Sequence, residues 1–169
     1  GELNANISIL IVNKNNCKAI QRAERLGVKY VYLNHKEFNS REAYDHEIIN
    51  ILENYDIEAL ILAGWMRIIT SKLINSYPNK IINIHPSLLP SFKGINSIQR
   101  ALDAKIKITG CTAHKVINQV DSGEVICQAA VRILERDTLE SLSKRIQSQE
   151  HIILPKAIAL AANEWRRNT

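Results

Sequence analysis

Short apolar runs alternate with amphipathic stretches along most of the chain. Runs rich in valine, isoleucine and leucine predict β-strands at residues 7–12, 28–33, 59–63, 80–84, 108–117 and 124–131. Helical patterns follow each of the first four strands, with Gly27 placed to end the first helix and Thr70 placed to cap the third. Because strands and helices alternate, the sequence predicts an α/β fold with a mostly parallel sheet.

The last two predicted strands differ from the others because no helix separates them. Residues 118–123 lie between them and contain Asp, Ser and Gly, which favour a turn, so the two strands should pair antiparallel. Capping-box spacing occurs before three helices, at Asn39 with Glu42, Asn96 with Gln99, and Asp137 with Glu140. Pro155 should kink or divide the C-terminal helix.

The length of 169 residues fits a single domain over residues 1–169 that needs neither disulfides nor metal for its stability. The three cysteines, Cys17, Cys111 and Cys127, are scattered and show no C-x-x-C spacing, which is typical of a reducing cytoplasm. No apolar run approaches the roughly 20 residues that span a membrane. We therefore expect a soluble, cytoplasmic protein with no membrane partner.

The formal charge of +5 is spread along the chain, so it fits an anionic small substrate as well as a nucleic acid. No recognition helix, zinc finger or aromatic ribonucleoprotein motif is recognisable, and we expect no nucleic-acid partner. The sequence also lacks a G-x-G-x-x-G pattern and a Walker loop, which argues against dinucleotides and nucleoside triphosphates.

The stretch NIHPSLLP at residues 83–90 contains the strongest candidate chemistry. Asn83 and His85 lie two apart at the end of a predicted strand, so their side chains share a face, and Pro86 ends that strand. With His114 and Asp121 they could bind the oxyanion that forms in acyl transfer, because amide and imidazolium groups donate hydrogen bonds. An aspartate beside a histidine favours the protonated form of the ring. From spacing alone, an equally good interpretation is that these are unrelated surface or capping residues.

Two other interpretations of these residues are weaker. A zinc site built from His85, His114 and Asp121 has no i, i+4 or C-x-x-C pair to anchor it. A nucleophilic triad through Ser87 lacks the G-x-S-x-G elbow.

The stretch GWMRII at residues 64–69 directly follows a predicted buried strand. An apolar loop beside Arg67 suits a flat heterocycle that carries acidic groups. Taken alone, Trp65 and Met66 are more often core residues than ligand contacts.

Five motifs in order resemble the glycinamide ribonucleotide formyltransferase family of purine synthesis: AGWMRII, INIHPSLLPSFKG, TGCTAHKV, VDSGEVICQAAV and RIQSQEH. The resemblance runs from about residue 6 to the C-terminus. It implies a Rossmann-like fold with an antiparallel C-terminal part. It also implies transfer of the formyl group of 10-formyltetrahydrofolate, without a metal, to the amine of glycinamide ribonucleotide.

The resemblance also implies the site residues. Asn83 and His85 would polarise the formyl oxygen, and Asp121 would favour the protonated form of His85 and help to organise proton transfer. The implied folate-side residues are Arg41, Met66, Arg67, Ile68, Ile69, Asn83, Ile117, Asn118 and Val120. Gly94 and Glu150 match positions on the nucleotide side, where the glutamate would hold the ribose.

Two features depart from the family pattern. The chain starts at what matches the family's second strand, so we expect an N-terminally truncated domain without the phosphate loop of form G-x-G-S-N. Ile98 stands where many members have a histidine. A homodimer that covers an exposed sheet edge is a further expectation.

Three alternatives stay open beside the transferase. Formyltetrahydrofolate hydrolase and methionyl-tRNA formyltransferase share the Asn-x-His and Asp pattern. The segments SLLPSFKG and QSQEH favour the glycinamide enzyme, and we expect no tRNA-binding C-terminal domain. A non-catalytic remnant that binds folate but not the nucleotide phosphate is the third alternative.

Overall fold

The computed structural model describes residues 3–167. Its strands are β1 (Leu10–Val12), β2 (Tyr30–Tyr32), β3 (Leu60–Leu62), β4 (Ile81–His85), β5 (Ile108–Lys115) and β6 (Val125–Arg132). Its α-helices are α1 (Lys18–Arg25), α2 (Arg41–Glu53), α3 (Ser71–Ser76), α4 (Ser97–Asp103) and α5 (Leu139–Arg167). A single 3-10 turn at His35–Glu37 precedes α2. The predicted order of strands and helices is therefore confirmed.

The described residues form two compact units. Residues up to Glu58 together with Ile69–Tyr77 form the first unit, which contains the parallel pair β1–β2 and helices α1, α2 and α3. The second unit consists of Ala59–Ile68 and the residues from Pro78 onward. It contains the other four strands and helices α4 and α5. The single-domain expectation stays a prediction.

The second unit contains a four-stranded mixed sheet of order β3-β4-β5-β6. Strands β3 and β4 are parallel, whereas β5 runs antiparallel to both β4 and β6. The predicted α/β class with an antiparallel C-terminal part is thus confirmed. The register places Asn83 opposite His114, and His85 opposite Thr112. Each of these polar residues of β4 therefore lies opposite a polar residue of β5.

Helix α5 covers β5 and β6 and closes the core of the second unit. The cluster of buried side chains contains Ile84, Cys111, Ala113, Val131, Leu142, Ile146, Ile153 and Ala157. Helix α5 continues without a break through Pro155, so the expectation that this proline divides the helix is wrong. None of the helices in the described part of the chain is both long and apolar enough to cross a bilayer.

The predicted helix caps are partly wrong. Ser40 rather than Asn39 caps α2, since its Oγ accepts from the Ala43 N–H at 3.0 Å. Asn96 precedes α4 in a left-handed conformation with φ of 56° and makes no side-chain cap bond. Thr70 precedes α3 without a side-chain cap bond, although its N–H donates to buried Asp45. The Asp45 carboxylate thus satisfies the N–H of Thr70 itself, and not one of the first-turn N–H groups that a cap would satisfy.

The start of α5 also differs from the prediction. Thr138 rather than Asp137 caps the helix, because its Oγ1 accepts from the Ser141 N–H at 3.1 Å. The Asp137 carboxylate instead receives two hydrogen bonds from Arg145, at 2.7 and 2.8 Å. This ion pair holds the pKa of Asp137 well below its usual range.

We expect Ile146→Ala to lower the free energy of unfolding by about 2–5 kcal/mol, because the substitution leaves a cavity in the core. Ile146 is fully buried, whereas Ile152 on the same helix is 48% exposed. Ile152→Ala is therefore the matched control, with a loss of about 0.5 kcal/mol or less. Urea unfolding of both variants measures the difference, and equal losses would contradict the assignment of this helix face.

Candidate active site

Strand β4 directs two polar side chains to one face, because residues two apart on a strand share a face. Asn83 is half-buried and His85 is buried. Asp121, in the segment between β5 and β6, places Oδ2 3.3 Å from His85 Nδ1 and Oδ1 3.6 Å from His114 Nε2. The four residues of the cluster predicted from the sequence therefore converge in the second unit.

Both ring nitrogens of His85 face hydrogen-bond acceptors. Nε2 lies 3.0 Å from the backbone oxygen of Phe92, and Nδ1 faces the Asp121 carboxylate. A neutral imidazole has one N–H donor, whereas the protonated ring has two. The surroundings of His85 therefore satisfy an imidazolium fully.

His114 connects Asn83 to Asp121. Its Nδ1 lies 2.8 Å from the Lys115 carbonyl oxygen, which can only accept, so Nδ1 carries the proton. In the neutral ring Nε2 accepts from the Asn83 amide at 3.2 Å, whereas in the protonated ring it carries a second N–H that can donate to Asp121 Oδ1. Because that amide has two N–H donors, Asn83 can offer the second one to a ligand.

The Asp121 carboxylate is stabilised by a set of polar neighbours. Burial by itself raises its pKa, but the contact with His114, the Gly94 N–H at 2.8 Å and the charge of His85 together lower the pKa below its usual value. The residue also adopts a left-handed backbone with φ of 48°. A non-glycine residue is uncommon in this region, so the surrounding contacts must hold it there.

A buried hydrogen-bond network supports the segment after β4. The Thr112 hydroxyl donates to the Ser87 carbonyl at 2.7 Å and accepts from the Leu89 N–H at 3.1 Å. The Gln128 amide adds a third bond to that hydroxyl, at 2.9 Å. The Ser87 hydroxyl donates to the Ser91 carbonyl at 2.5 Å, so this serine joins the structural network.

Two loops of the second unit expose large apolar side chains. Met66 is 74% exposed and Ile68 is 53% exposed in the loop after β3. Ile117 and Val120 are also exposed, in the segment after β5. Isolated exposed apolar residues are common, but paired ones on loops are typical of a surface that receives an apolar ligand.

The remaining residues implied by the resemblance are more scattered. Arg67 and Gly94 are half-buried and Asn118 is exposed. Arg41 and Ile69 belong to the first unit, where Arg41 is the exposed first residue of α2 and Ile69 is buried. Glu150 is half-buried on α5, and burial raises the pKa of its carboxyl group.

Sequence reasoning did not find the Phe92 carbonyl or the hydroxyl of Thr112. The first is a backbone atom, which no residue type marks. The second is a small polar residue in an apolar strand, and that pattern does hint at a buried hydrogen bond. Within residues 3–167, no group of three or more His, Cys, Asp or Glu side chains could hold a metal ion.

Together, the α/β fold and the Asn–His–Asp cluster place hydrogen-bond donors in an arrangement that suits a developing oxyanion. A sequence model of the formyl transferase family matches residues 1–158. The phosphoribosylglycinamide formyltransferase of Bacillus subtilis is 39% identical over 154 residues, which are 91% of this chain and 79% of that protein. The chain belongs to the formyl transferase family.

Similarity extends to a longer protein and to solved structures. The trifunctional purine biosynthetic protein adenosine-3 of Gallus gallus is 40% identical over 159 residues, and this chain spans 16% of its length. The crystal structure of glycinamide ribonucleotide transformylase 1 from Symbiobacterium toebii matches with a TM-score of 0.90 at 39% identity. That match covers 93% of this chain and 74% of the solved one.

We expect Asp121→Asn to destabilise the protein at neutral pH but much less in acid. The folded-state pKa of Asp121 is lowered, so its carboxylate contributes stability above the unfolded value of about 3.9 and loses it as the pH falls through the folded value. Urea unfolding of parent and variant at a series of pH values from about 7 down to about 2 measures this, because the series must pass below the lowered folded-state pKa. A difference that is constant with pH would contradict the electrostatic role.

Proposed function

We propose that the protein transfers the formyl group of 10-formyltetrahydrofolate to the amine of glycinamide ribonucleotide. The main support for this proposal is that Asn83 and His85 lie on one face of β4, with the Asp121 carboxylate 3.3 Å from the His85 ring. Asn83 and His85 are both hydrogen-bond donors, and such a pair suits a reaction in which a carbonyl oxygen gains negative charge. The names of the relatives support formyl transfer to a phosphoribosylglycinamide.

In this proposal, 10-formyltetrahydrofolate is a second substrate that supplies the formyl group. The exposed apolar residues Met66, Ile68, Ile117 and Val120 fit a flat heterocycle, because binding would remove their apolar surface from water. Arg67, in the first of these two loops, suits the acidic groups of a folate. We assign Asn118, in the segment after β5, to the same ligand.

The protein's groups would act in two stages. As the amine forms its bond to the formyl carbon, Asn83 donates an N–H to the formyl oxygen, and imidazolium His85 stabilises the same negative charge. When the bond from carbon to the folate nitrogen breaks, His85 donates a proton to that nitrogen. The attacking amine loses one proton as it becomes a formamide, and His85 takes up that proton, so that the ring is protonated again.

Asp121 determines which proton of His85 is transferable. Its carboxylate occupies Nδ1, so the proton on Nε2, now bonded to the Phe92 carbonyl, is the one available to a substrate. The same contact fixes the orientation of the His85 ring. Asp121 thus acts through His85.

Two residues are proposed for the nucleotide. The half-buried Glu150 carboxylate can accept hydrogen bonds from ribose hydroxyls, which would offset part of its burial cost. The Gly94 N–H donates to Asp121, so the loop that follows β4 links the nucleotide side to the catalytic carboxylate.

The product formed from 10-formyltetrahydrofolate, with and without glycinamide ribonucleotide, tests this function. We expect loss of the formyl donor only when the nucleotide is present, with formylated nucleotide in equal amount. Formate release without the nucleotide would instead show a hydrolase. Folate binding with neither product would favour a non-catalytic folate-binding protein. Either of these results would overturn the transferase proposal.

The same assay tests the assigned donors. Asn83→Ala and His85→Ala should each lower kcat by roughly 10²–10³-fold, the usual cost of one oxyanion donor. His46→Ala removes an exposed histidine of α2 and serves as the control, with a near-parental rate. If Asn83→Ala or His85→Ala also kept the parental rate with an unchanged Tm, the oxyanion assignment would be wrong.

A further inference from the structure

Lys115 is a buried lysine at the end of β5, with 8% of its surface exposed. Its Nζ lies 2.8 Å from Glu124 Oε2 and 2.7 Å from Glu164 Oε1. Lysine is seldom buried unless it is paired, so these two carboxylates explain its position. Their hydrogen bonds, first that of Glu124 and then that of Glu164, raise the pKa of Lys115. The ammonium group is therefore charged.

The two glutamates come from different parts of the second unit. Glu124 directly precedes β6, so it lies at the far end of the segment that begins after Lys115. Glu164 lies in the last turns of α5. One side chain therefore ties both strands of the β5–β6 hairpin to the end of the C-terminal helix.

Backbone contacts close the same segment at the same residue. The Lys115 N–H donates to the Glu124 carbonyl at 2.8 Å. At Gly123, a Cβ atom would overlap the Lys115 carbonyl oxygen, so only glycine fits this close approach. Residues 116–123 thus form a loop whose two ends meet at Lys115, and we call them the Asp121 loop.

The Asp121 loop carries the carboxylate that contacts both histidines. Lys115 is also next to His114, and its carbonyl oxygen accepts from His114 Nδ1. A loosened loop would therefore disturb Asp121 and the orientation of His114 together. At its other side the loop is held by Lys93, whose Nζ donates to Ser122 Oγ at 2.6 Å.

We propose that Lys115, through Glu124 and Glu164, is a positioning residue that holds the Asp121 loop closed and keeps Asp121 against His85 and His114. The loop position follows from the contacts alone. The effect on turnover rests on the proposed function. Helix α5 takes part because Trp165, beside Glu164, donates from Nε1 to the Asn79 carbonyl at 2.9 Å, which fixes the helix end near the start of β4.

A purely structural ion pair would stabilise the whole unit without fixing Asp121 in particular. The two possibilities differ in where the protein opens when the charge is removed. Lys115→Met keeps much of the aliphatic chain and leaves two glutamates that are 69% and 48% exposed and can be hydrated, so we expect it to fold. Lys115→Arg restores the charge.

Amide hydrogen exchange is the first measurement, and it does not depend on activity. The residue 115 N–H, bonded to Glu124, reports the closed loop, and the Ile133 N–H, bonded to the Lys107 carbonyl, reports the opposite end of the hairpin. In Lys115→Met we expect exchange at residue 115 to become about fivefold faster or more, with Ile133 unchanged. Equal acceleration at both amides, or at neither, would overturn the proposal.

The titration of the Asp121 carboxyl group by NMR is the second measurement. Its pKa is lowered by the contacts that the closed loop provides, so Lys115→Met should raise it toward the ordinary value of about 3.9. Lys115→Arg should bring the pKa back toward that of the parent protein. An Asp121 pKa that does not move in Lys115→Met would show that the carboxylate is held without the lysine.

Turnover completes the test. We expect Lys115→Met to lower kcat about tenfold with both KM values within about twofold, since the loss is in the transition state. Lys144→Met is the control, because Lys144 pairs with Glu140 at 2.6 Å on the exposed side of α5. A parental kcat in Lys115→Met would refute the catalytic consequence. If the parent protein transfers no formyl group, the proposed function fails while exchange and titration still decide the loop position.

Discussion

The buried carboxylate of Asp121 is the interaction on which the candidate site depends. It lies within 3.3 Å of one histidine and 3.6 Å of another, and it accepts from the Gly94 N–H. Burying a charge is costly unless it is paired and hydrogen-bonded. The sheet register places the two histidines on neighbouring strands, and their contacts with the carboxylate offset the free-energy cost of burying it. The carboxylate in turn orients the His85 ring.

Holding that carboxylate requires a backbone that few residues adopt. Asp121 has φ of 48° and Phe92 in the loop that follows β4 has φ of 53°, so each of these two loops contains a non-glycine residue in the left-handed region. Strain of this kind persists only where surrounding contacts over-determine the conformation. The Lys115 pairs and the Lys93 bond to Ser122 are such contacts, and they connect the Asp121 loop to β5, to α5 and to the loop that follows β4.

Sequence patterns predicted the parts of the site that depend on local periodicity. Asn83 and His85 share a face because they are two apart on a strand, and the turn residues before β6 correctly indicated an antiparallel pair. The caps at Asn39 and Asn96 were predicted wrongly, because capping-box spacing does not decide which residue takes the cap position. The contact of Lys115 with Glu164 spans 49 residues, and no spacing rule reaches that far. The Phe92 carbonyl is invisible for a different reason, since every residue has one.

The central claim is that Asp121 acts through His85, and a double-mutant cycle on kcat tests it most directly. Turnover would be measured for the parent, His85→Ala, Asp121→Asn and the double variant. If the carboxylate affects turnover only through the His85 ring, the double variant should be about as slow as His85→Ala alone. Losses that multiply in the double variant would show that the two residues act independently and would contradict the account.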